Sequence, residues 1–285
     1  MNIAECLKDA AGELREAGIA QPEREAASLL MFALKRDRTF LISHNEFELT
    51  TGETEAFRNY VARRSVREPF QHIVGKQEFY GLDFEVSPAV LIPRPETELV
   101  VETAIDILKE IKNAHFCEIG IGSGCIAVSV LSALRNARAI AIDISADAIE
   151  VARRNARSNG VAERIEFTIS DVFSTLNDQK FDAILSNPPY IPAADIATLQ
   201  AEVRDFDPLI ALTDGGDGLS IIKRIVIDSP KFLVPSGSLL LEIGFGQAEK
   251  VAAMFDKNTW NEVKFLTDLQ GIERVVKARI KSASD

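Results

Sequence analysis

The run Asn187-Pro188-Pro189-Tyr190 ends an apolar stretch, Phe181-Asp-Ala-Ile-Leu-Ser186, and gathers groups able to grip a planar nitrogen. Neither proline carries an N–H and both fix φ, so the loop cannot join a ladder or continue as a helix. The Asn187 side-chain oxygen, the Pro188 carbonyl and the Tyr190 ring remain available. Two acceptors at one point suit an NH2 group, which carries two donors, and an aromatic ring can cover its flat face. The pattern is that of a clamp for a carboxamide or an exocyclic amine. Proline pairs also punctuate ordinary surface turns, so the reading depends on what stands beside the clamp.

Upstream, Phe116-Cys-Glu118-Ile-Gly120-Ile-Gly122-Ser-Gly124-Cys-Ile-Ala-Val-Ser-Val130 runs from a short apolar strand through a glycine-rich turn into a helix of small and apolar residues. The spacing is G-x-G-x-G; a G-x-G-x-x-G dinucleotide fingerprint needs glycine at 125, where the chain has Cys125. Glycines here allow close backbone approach to a ligand. A second strand, Arg138-Ala-Ile-Ala-Ile-Asp143, ends in a carboxylate. Asp143 lies about 20 residues beyond the glycines, where an acid accepts hydrogen bonds from ribose hydroxyls. Turn and acid together favour a nucleoside-bearing cofactor over a ligand-free turn.

The elements that must position these residues fall into two textures. Residues 1 to about 69 read as helices: Ile3–Ala17, a segment from Pro22 to Leu34 with proline at its first turn, and Thr51–Arg67 capped near Thr51. Phe70–Gly75 and Phe79–Val86 read as two strands of a hairpin turning at Gly75-Lys76. After the break at Leu91-Ile-Pro-Arg-Pro95 comes an amphipathic helix over Glu96–Ile111, with acidic residues in its first turn. From there strands near 115–121, 138–144, 164–170, 181–187 and 237–244 alternate with helices near 124–135, 146–159 and 217–230. A helix near 246–257 and two strands, 261–267 and 272–280, close the chain. Alternation of this kind predicts a Rossmann-like α/β sheet, mostly parallel, of seven strands with helices on both faces. Ligands of such sheets sit at the carboxyl ends of the strands, which sets Gly120–Gly124, Asp143, Asp171 and Asn187–Tyr190 along one rim.

Composition narrows the function classes. With 285 residues, 46% hydrophobic and 26% charged, the chain has material for one sizeable core and a smaller module. No apolar run approaches a membrane span, and the Met1-Asn-Ile-Ala-Glu5 start lacks a secretory signal pattern, so a cytoplasmic location is expected. Cys6, Cys117 and Cys125 have no C-x-x-C spacing and His44, His72 and His115 are scattered, so neither a disulfide framework, a metal site nor a Ser-His-Asp triad is indicated. A net charge of −11 argues against tight nonspecific nucleic-acid binding.

The combination of Glu118–Gly124, Asp143 and Asn187–Tyr190 resembles the class I S-adenosylmethionine-dependent methyltransferases that modify planar nitrogens. Pro69-Phe-Gln-His-Ile-Val-Gly75, Phe79-Tyr-Gly-Leu-Asp-Phe84 and Leu91-Ile-Pro-Arg-Pro-Glu-Thr-Glu98 are similar to the release-factor glutamine N5-methyltransferases, the PrmC/HemK family. Glu202-Val-Arg-Asp-Phe-Asp-Pro208 and Leu212-Thr-Asp-Gly-Gly-Asp-Gly218 extend the resemblance, which covers most of the chain.

The resemblance implies a helical N-terminal domain for substrate recognition (1–69), a β-hairpin linker (70–95) and a methyltransferase domain (96–285). It implies S-adenosylmethionine as cofactor, S-adenosylhomocysteine as product, and class I peptide chain release factors as protein substrate, methylated on the glutamine of their Gly-Gly-Gln tip. Cofactor-binding positions would be Glu118, Gly120, Ile121, Gly122, Ser123, Gly124, Asp143, Asp171, Val172 and Asn187. Asn187, Pro188, Pro189 and Tyr190 would hold the substrate, with Asn187, Pro188 and Tyr190 at the chemistry. Val172 departs from members that carry an aromatic residue after the equivalent of Asp171, which removes ring stacking there. Arg94 and Glu96 either close over the site or belong to a rigid linker. A monomer with no direct nucleic-acid or membrane partner is expected. Glutamine methylation of a ribosomal protein, N6-adenine methylation of nucleic acid and a non-catalytic binding module stand as alternatives.

Overall fold

Apolar residues at helical spacing fill the first part of the chain, and they fold as helices. In the computed structural model, which describes residues 1–282, α1 (Ile3–Glu16) buries Ile3, Cys6, Ala10 and Leu14 on one stripe. α2 (Pro22–Leu34) starts with proline in its first turn, α3 (Arg38–Ser43) is capped by Asp37, and α4 (Thr51–Ser65) begins with a capping box between Thr50 and Glu53. These helices and α5 (Phe70–Val74) share one apolar core that includes Leu29, Leu30, Phe57 and Ile73. The unit comprises residues 1–75 together with 200–206, a short segment from much later in the chain. Glu202 joins it through Arg64 at 3.1 Å and Arg67 at 2.8 Å, and the buried Arg64 also meets Glu25 at 3.0 Å. With carboxylates on both sides, its buried charge is not left alone.

The expected strand over Phe70–Gly75 is corrected to helix. Pro69 stands at its N-cap and Gly75, at φ +72°, ends it in the left-handed conformation typical of a helix stop rather than a hairpin turn. The hairpin begins one residue later, pairing β1 (Lys76–Phe79) with β2 (Leu82–Glu85) in antiparallel register. Its turn is Tyr80-Gly81, both with φ above zero, the combination that matches strand twist in a two-residue loop. Phe79 and Phe84 then point inward and meet edge to face, 6.1 Å between centroids.

The second unit, residues 76–199 and 207 onward, holds the sheet. The last three positions of the expected 96–285 domain lie outside the described residues. Its strands are β3 (His115–Ile119), β4 (Arg138–Asp143), β5 (Ile165–Ile169), β6 (Phe181–Ser186), β7 (Leu233–Glu242), β8 (Trp260–Thr267) and β9 (Glu273–Ile280), in the order β5-β4-β3-β6-β7-β9-β8. The first five are parallel, and β9 runs antiparallel to both β7 and β8. β3, β4, β6 and the second half of β7 are buried on both faces, as continuous apolar runs in a parallel sheet require. One face carries α6 (Glu98–Leu108), α7 (Cys125–Ala133) and α8 (Ala146–Ser158) over Val100, Phe116, Val128 and Leu185. The other is covered by the Ser220–Asp228 and Ala248–Ala252 helices over Ile184, Ile222, Leu239 and Val251.

The strand order reverses between β3 and β6, which opens a crevice at their carboxyl ends. Register fixes what stands there. Ile119 pairs with Ile142 on one side and Ser186 on the other, so Gly120, Asp143 and Asn187 emerge side by side. The buried Ser186 hydroxyl donates to the Ile119 carbonyl at 2.7 Å and ties the two strand ends together.

Candidate active site

A cavity of about 410 Å³ opens at this switch point, entirely within the sheet unit. Of the residues expected from the sequence, Glu118, Gly120, Ile121, Gly122, Ser123, Asp143, Asp171, Val172, Asn187 and Pro189 line it. Pro188, Tyr190 and Gly124 do not. Pro188 is buried, Tyr190 is half-buried with its ring against the second sheet core, and Gly124 starts α7 in close packing against Ala152.

The glycine side of the cavity is built by backbone. Gly120 and Gly122 take φ of +72° and +52°, and a Cβ on either would meet nothing within 4 Å, so open space lies above the main chain. The Gly120 and Ile121 N–H groups both donate to the Ile142 carbonyl, which holds the turn against the end of β4. Asp143 accepts from Gly122 N–H at 3.0 Å through one oxygen and from Ser145 N–H at 2.9 Å through the other. Burial raises the Asp143 pKa against the pull of these N–H donors. Glu118 lies beneath the turn, fully buried, and accepts from Ala127 N–H in the first turn of α7 at 2.7 Å. Desolvation pushes its pKa well above the ordinary carboxylate range.

The opposite wall is apolar. Ile144, 54% exposed, projects beside Asp143, and Val172 is buried at the cavity edge. Val172 has φ +53°, a conformation that a β-branched residue rarely takes, and its carbonyl accepts from the Ser170 hydroxyl at 2.8 Å. The exposed Asp171 pairs with Arg224 at 2.9 Å.

On the clamp side, contacts are made by side chains. Asn187 Nδ2 donates to Thr97 Oγ1 at 3.1 Å, and Thr97 donates to Glu242 Oε2 at 2.6 Å. Tyr190 donates its hydroxyl to Glu242 Oε1 at 3.2 Å. Glu242 ends β7, is 1% exposed, and desolvation raises its pKa to about 7, opposed by the Thr97 and Tyr190 hydrogen bonds. Gln247 Nε2 donates to the Tyr190 carbonyl at 2.8 Å while its Oε1 accepts from Gly244 N–H at 2.8 Å. Gly218 passes so close to the clamp that a Cβ there would lie 2.1 Å from the Tyr190 carbonyl oxygen. It belongs to a turn organised by Asp214, which accepts from the N–H groups of Gly216, Gly218 and Ser220. Against a desolvation that raises it, the Ser220 hydroxyl and these N–H groups hold the Asp214 pKa down to about 2. Arg94 also lines the cavity and is bound at 2.5 Å by the buried Asp207, which anchors the Ile92-Pro-Arg-Pro95 stretch.

Thr97, Glu242, Gln247 and Ile144 were not singled out from sequence. Glu242 carried the same signal as Asp143, an acid ending an apolar strand (Leu239-Leu-Leu-Glu242). Thr97 sits inside the quoted Pro95-Glu-Thr-Glu98 motif, but nothing local shows that its hydroxyl reaches Asn187. Among the described residues no group of three or more His, Cys, Asp or Glu stands where it could hold a metal ion.

The residues present fit a nucleoside-bearing cofactor. A carboxylate with lone pairs left over can accept from sugar hydroxyls, the glycine main chain admits close approach, and Ile144 with Val172 offers an apolar surface for a flat ring. This strand order, with a glycine turn after its first strand and an acid ending its second, is the architecture of the class I methyltransferases. The catalytic domain of hMettl16 in complex with an RNA hairpin superposes with a TM-score of 0.59 at 17% identity, covering 77% of this chain and 81% of that one. A methyltransferase from Pyrococcus furiosus does so at 0.51 and 20% identity, over 72% and 91% of the two chains. At such identities the likeness concerns the fold alone.

Family models and relatives are more specific. Residues 5–75 match the PrmC N-terminal domain and residues 97–205 the methyltransferase small domain. A release factor glutamine methyltransferase of Geobacter sulfurreducens is 43% identical over 94% of this chain and 93% of its own. One of Cereibacter sphaeroides is 40% identical over 99% and 100%, and one of Koribacter versatilis 38% over 98% and 99%. The chain belongs to the release factor glutamine methyltransferase family, and it is a methyltransferase.

Proposed function

We propose that this enzyme transfers a methyl group to the side-chain amide nitrogen, N5, of the glutamine in the Gly-Gly-Gln motif of class I peptide chain release factors. The observation that carries the reading is the orientation of Asn187. Its NH2 edge is taken by Thr97, which leaves Oδ1 as the acceptor not engaged in that contact, on a residue that lines the cavity beside the glycine turn.

S-Adenosylmethionine supplies an electrophilic methyl group on a sulfonium. Asp143 would hold the sugar hydroxyls, the Gly120–Gly122 main chain would admit the cofactor closely, and Ile144 and Val172 would offer the base an apolar surface, with Asp171 a further candidate beside it. The chain then has to make a poor nucleophile react, because an amide nitrogen shares its lone pair with the carbonyl. Asn187 Oδ1 and the Pro188 carbonyl accept the two N–H bonds of the incoming glutamine and hold its nitrogen in line. The N–CH3 bond would form as the S–CH3 bond breaks, with S-adenosylhomocysteine leaving and one amide proton passing to water. As positive charge grows on nitrogen the two N–H bonds to the acceptors strengthen, so the acceptors favour the transition state over the ground state by about 3–4 kcal/mol. Alignment of the two reactants contributes roughly 7–11 kcal/mol more. Tyr190, outside the cavity lining and anchored to Glu242 through its hydroxyl, would steady the clamp loop from behind. Ile210, 55% exposed on the cavity lining, and its neighbour Leu209, 59% exposed, offer apolar contact to a protein substrate.

A release factor as substrate is consistent with a cytoplasmic enzyme, and we further propose a monomer that makes no direct nucleic-acid contact. The net charge of −11 supports the last point, and no described helix is long and apolar enough to cross a membrane. The test is methyl transfer from labelled S-adenosylmethionine to purified release factor, beside a Gly-Gly-Ala variant and duplex DNA. Label confined to the glutamine nitrogen of the intact release factor, located by peptide mass spectrometry, is the expected result. Label on DNA or on a ribosomal protein alone would overturn the reading.

A further inference from the structure

Asn187 can serve an NH2 group only if its oxygen faces the cavity, yet an amide side chain has two nearly isosteric edges. What chooses the edge is its neighbour Thr97, which also borders the cavity. Thr97 has one hydroxyl proton and stands between Asn187 at 3.1 Å and Glu242 at 2.6 Å. An ionised carboxylate only accepts, so the Thr97 proton must go to Glu242 and the Thr97 oxygen must accept. The Asn187 NH2 edge is thereby drawn to Thr97 and Oδ1 is left as the free acceptor. A protonated Glu242 removes the constraint: it can donate to Thr97, Thr97 can donate to Asn187 Oδ1, and the NH2 edge then faces the cavity. A donor would meet the donors of the substrate. The Tyr190 hydroxyl follows the same carboxylate, through its other oxygen.

We propose that Glu242 is a positioning residue whose charge, relayed by the Thr97 hydroxyl, sets the polarity of the Asn187 clamp and restricts the site to substrates that present a planar NH2. The role of that clamp in catalysis rests on the function proposed above; its orientation does not.

The groups facing Glu242 come from every side of it. Thr97 and Glu96 stand on the Pro95–Thr97 turn, Tyr190 on the clamp loop, Arg274 on β9, and Cys125 at the start of α7. Desolvation is the largest influence and Glu96 adds to it, while Thr97, Tyr190 and Arg274 favour the charged form. Titration near neutrality follows, with the active orientation above it and a mixed population below.

Two readouts test this on the full chain. With asparagine selectively labelled with nitrogen-15, the Asn187 side-chain NH2 resonances are identified by their loss in Asn187→Ala and followed from pH 5.5 to 8.5. They are expected to titrate near pH 7 in the wild type and to be flat in Glu242→Gln and Thr97→Val, with Thr97→Ser restoring the titration. Resonances that ignore pH in the wild type, or still titrate in folded Glu242→Gln, overturn the proposal. The second readout is turnover: Glu242→Gln is expected to lower kcat by about 10- to 100-fold and abolish its acid limb, with cofactor Kd unchanged. Adding Thr97→Val is expected to cause little further loss, since both act along one relay. A full additive loss in the double variant overturns the relay. If wild-type enzyme leaves the release factor unlabelled, the proposed substrate fails, while the resonance titration still decides this inference.

Discussion

The two halves of the rim solve one problem in different ways. On the cofactor side, Asp143 and Glu118 are satisfied by backbone N–H groups of Gly122, Ser145 and Ala127. On the clamp side, Asn187 and Tyr190 are satisfied by Thr97, Glu242 and Gln247, side chains from three other parts of the chain. Backbone donors keep their polarity at any pH and accompany the local turn. A side-chain network can invert, so the clamp has an orientation to lose. On the proposed function one half serves affinity and the other direction, and substitutions should separate them.

The sharpest separation is expected from Asn187→Ala. Removing the acceptor proposed to stabilise the charge developing on the substrate nitrogen should lower kcat by about 10²–10³-fold. Cofactor Kd should stay within about threefold, because the contacts of Asp143 and the glycine turn are untouched. Calorimetry beside a methyl-transfer assay reads both, and unchanged turnover would remove Asn187 from the chemistry.

Glu242 breaks the comparison in another currency, stability. Its pKa of about 7 in the folded state lies above the unfolded value, so between about pH 4.5 and 7 the native chain holds a proton that the unfolded chain has released. Stability therefore falls as pH rises through that window, by an order of magnitude of about 3 kcal/mol from this group. Glu242→Gln cannot titrate, so its unfolding free energy should decline less than the wild type's from pH 4.5 to 8. Parallel denaturation curves at the two pH values would sink the assignment of a buried, ionising Glu242. A residue whose charge costs stability where the enzyme works is better explained by the clamp than by the core.

Asp143→Ala tests the affinity half. Loss of charge-assisted hydrogen bonds worth about 1.5–3 kcal/mol should raise cofactor Kd by roughly 10- to 100-fold. At saturating cofactor, kcat should recover most of its wild-type value. A variant whose kcat stays low at saturation would instead tie Asp143 to the chemistry and blur the division.

The same contrast explains how much was legible beforehand. The sheet, the Gly120–Gly122 turn, Asp143 and Asn187 each follow from a local signal, apolar periodicity broken by glycine, proline or acid, and strand order at the switch point brings them together. Thr97 and Glu242 were missed because their meaning is tertiary: 145 residues separate the two ends of a 2.6 Å hydrogen bond. Phe70–Val74 was misjudged for a local reason. Its aromatic and β-branched residues suit either structure, and the left-handed Gly75 served as a helix stop instead of a hairpin turn. Residues 200–206 begin a motif that resembles the family, but nothing in it shows that they join the helical unit, since Glu202 reads as one more surface acid until Arg64 and Arg67 are seen around it.

Asp171 makes the finest cut. It ends the β5 side of the rim as Asp143 ends β4, and by analogy it would bind the base. Yet it is exposed, its carboxylate pairs with Arg224 at 2.9 Å, and exposed pairs are worth about 0–1 kcal/mol. Asp171→Asn keeps an acceptor and loses only the charge, so cofactor Kd should rise by no more than about fivefold. The rise should shrink further when salt is increased, because screening already weakens the wild-type pair. If titration calorimetry gives instead a salt-independent loss as large as that of Asp143→Ala, Asp171 holds the cofactor directly, and the affinity half of the rim extends across three strands rather than two.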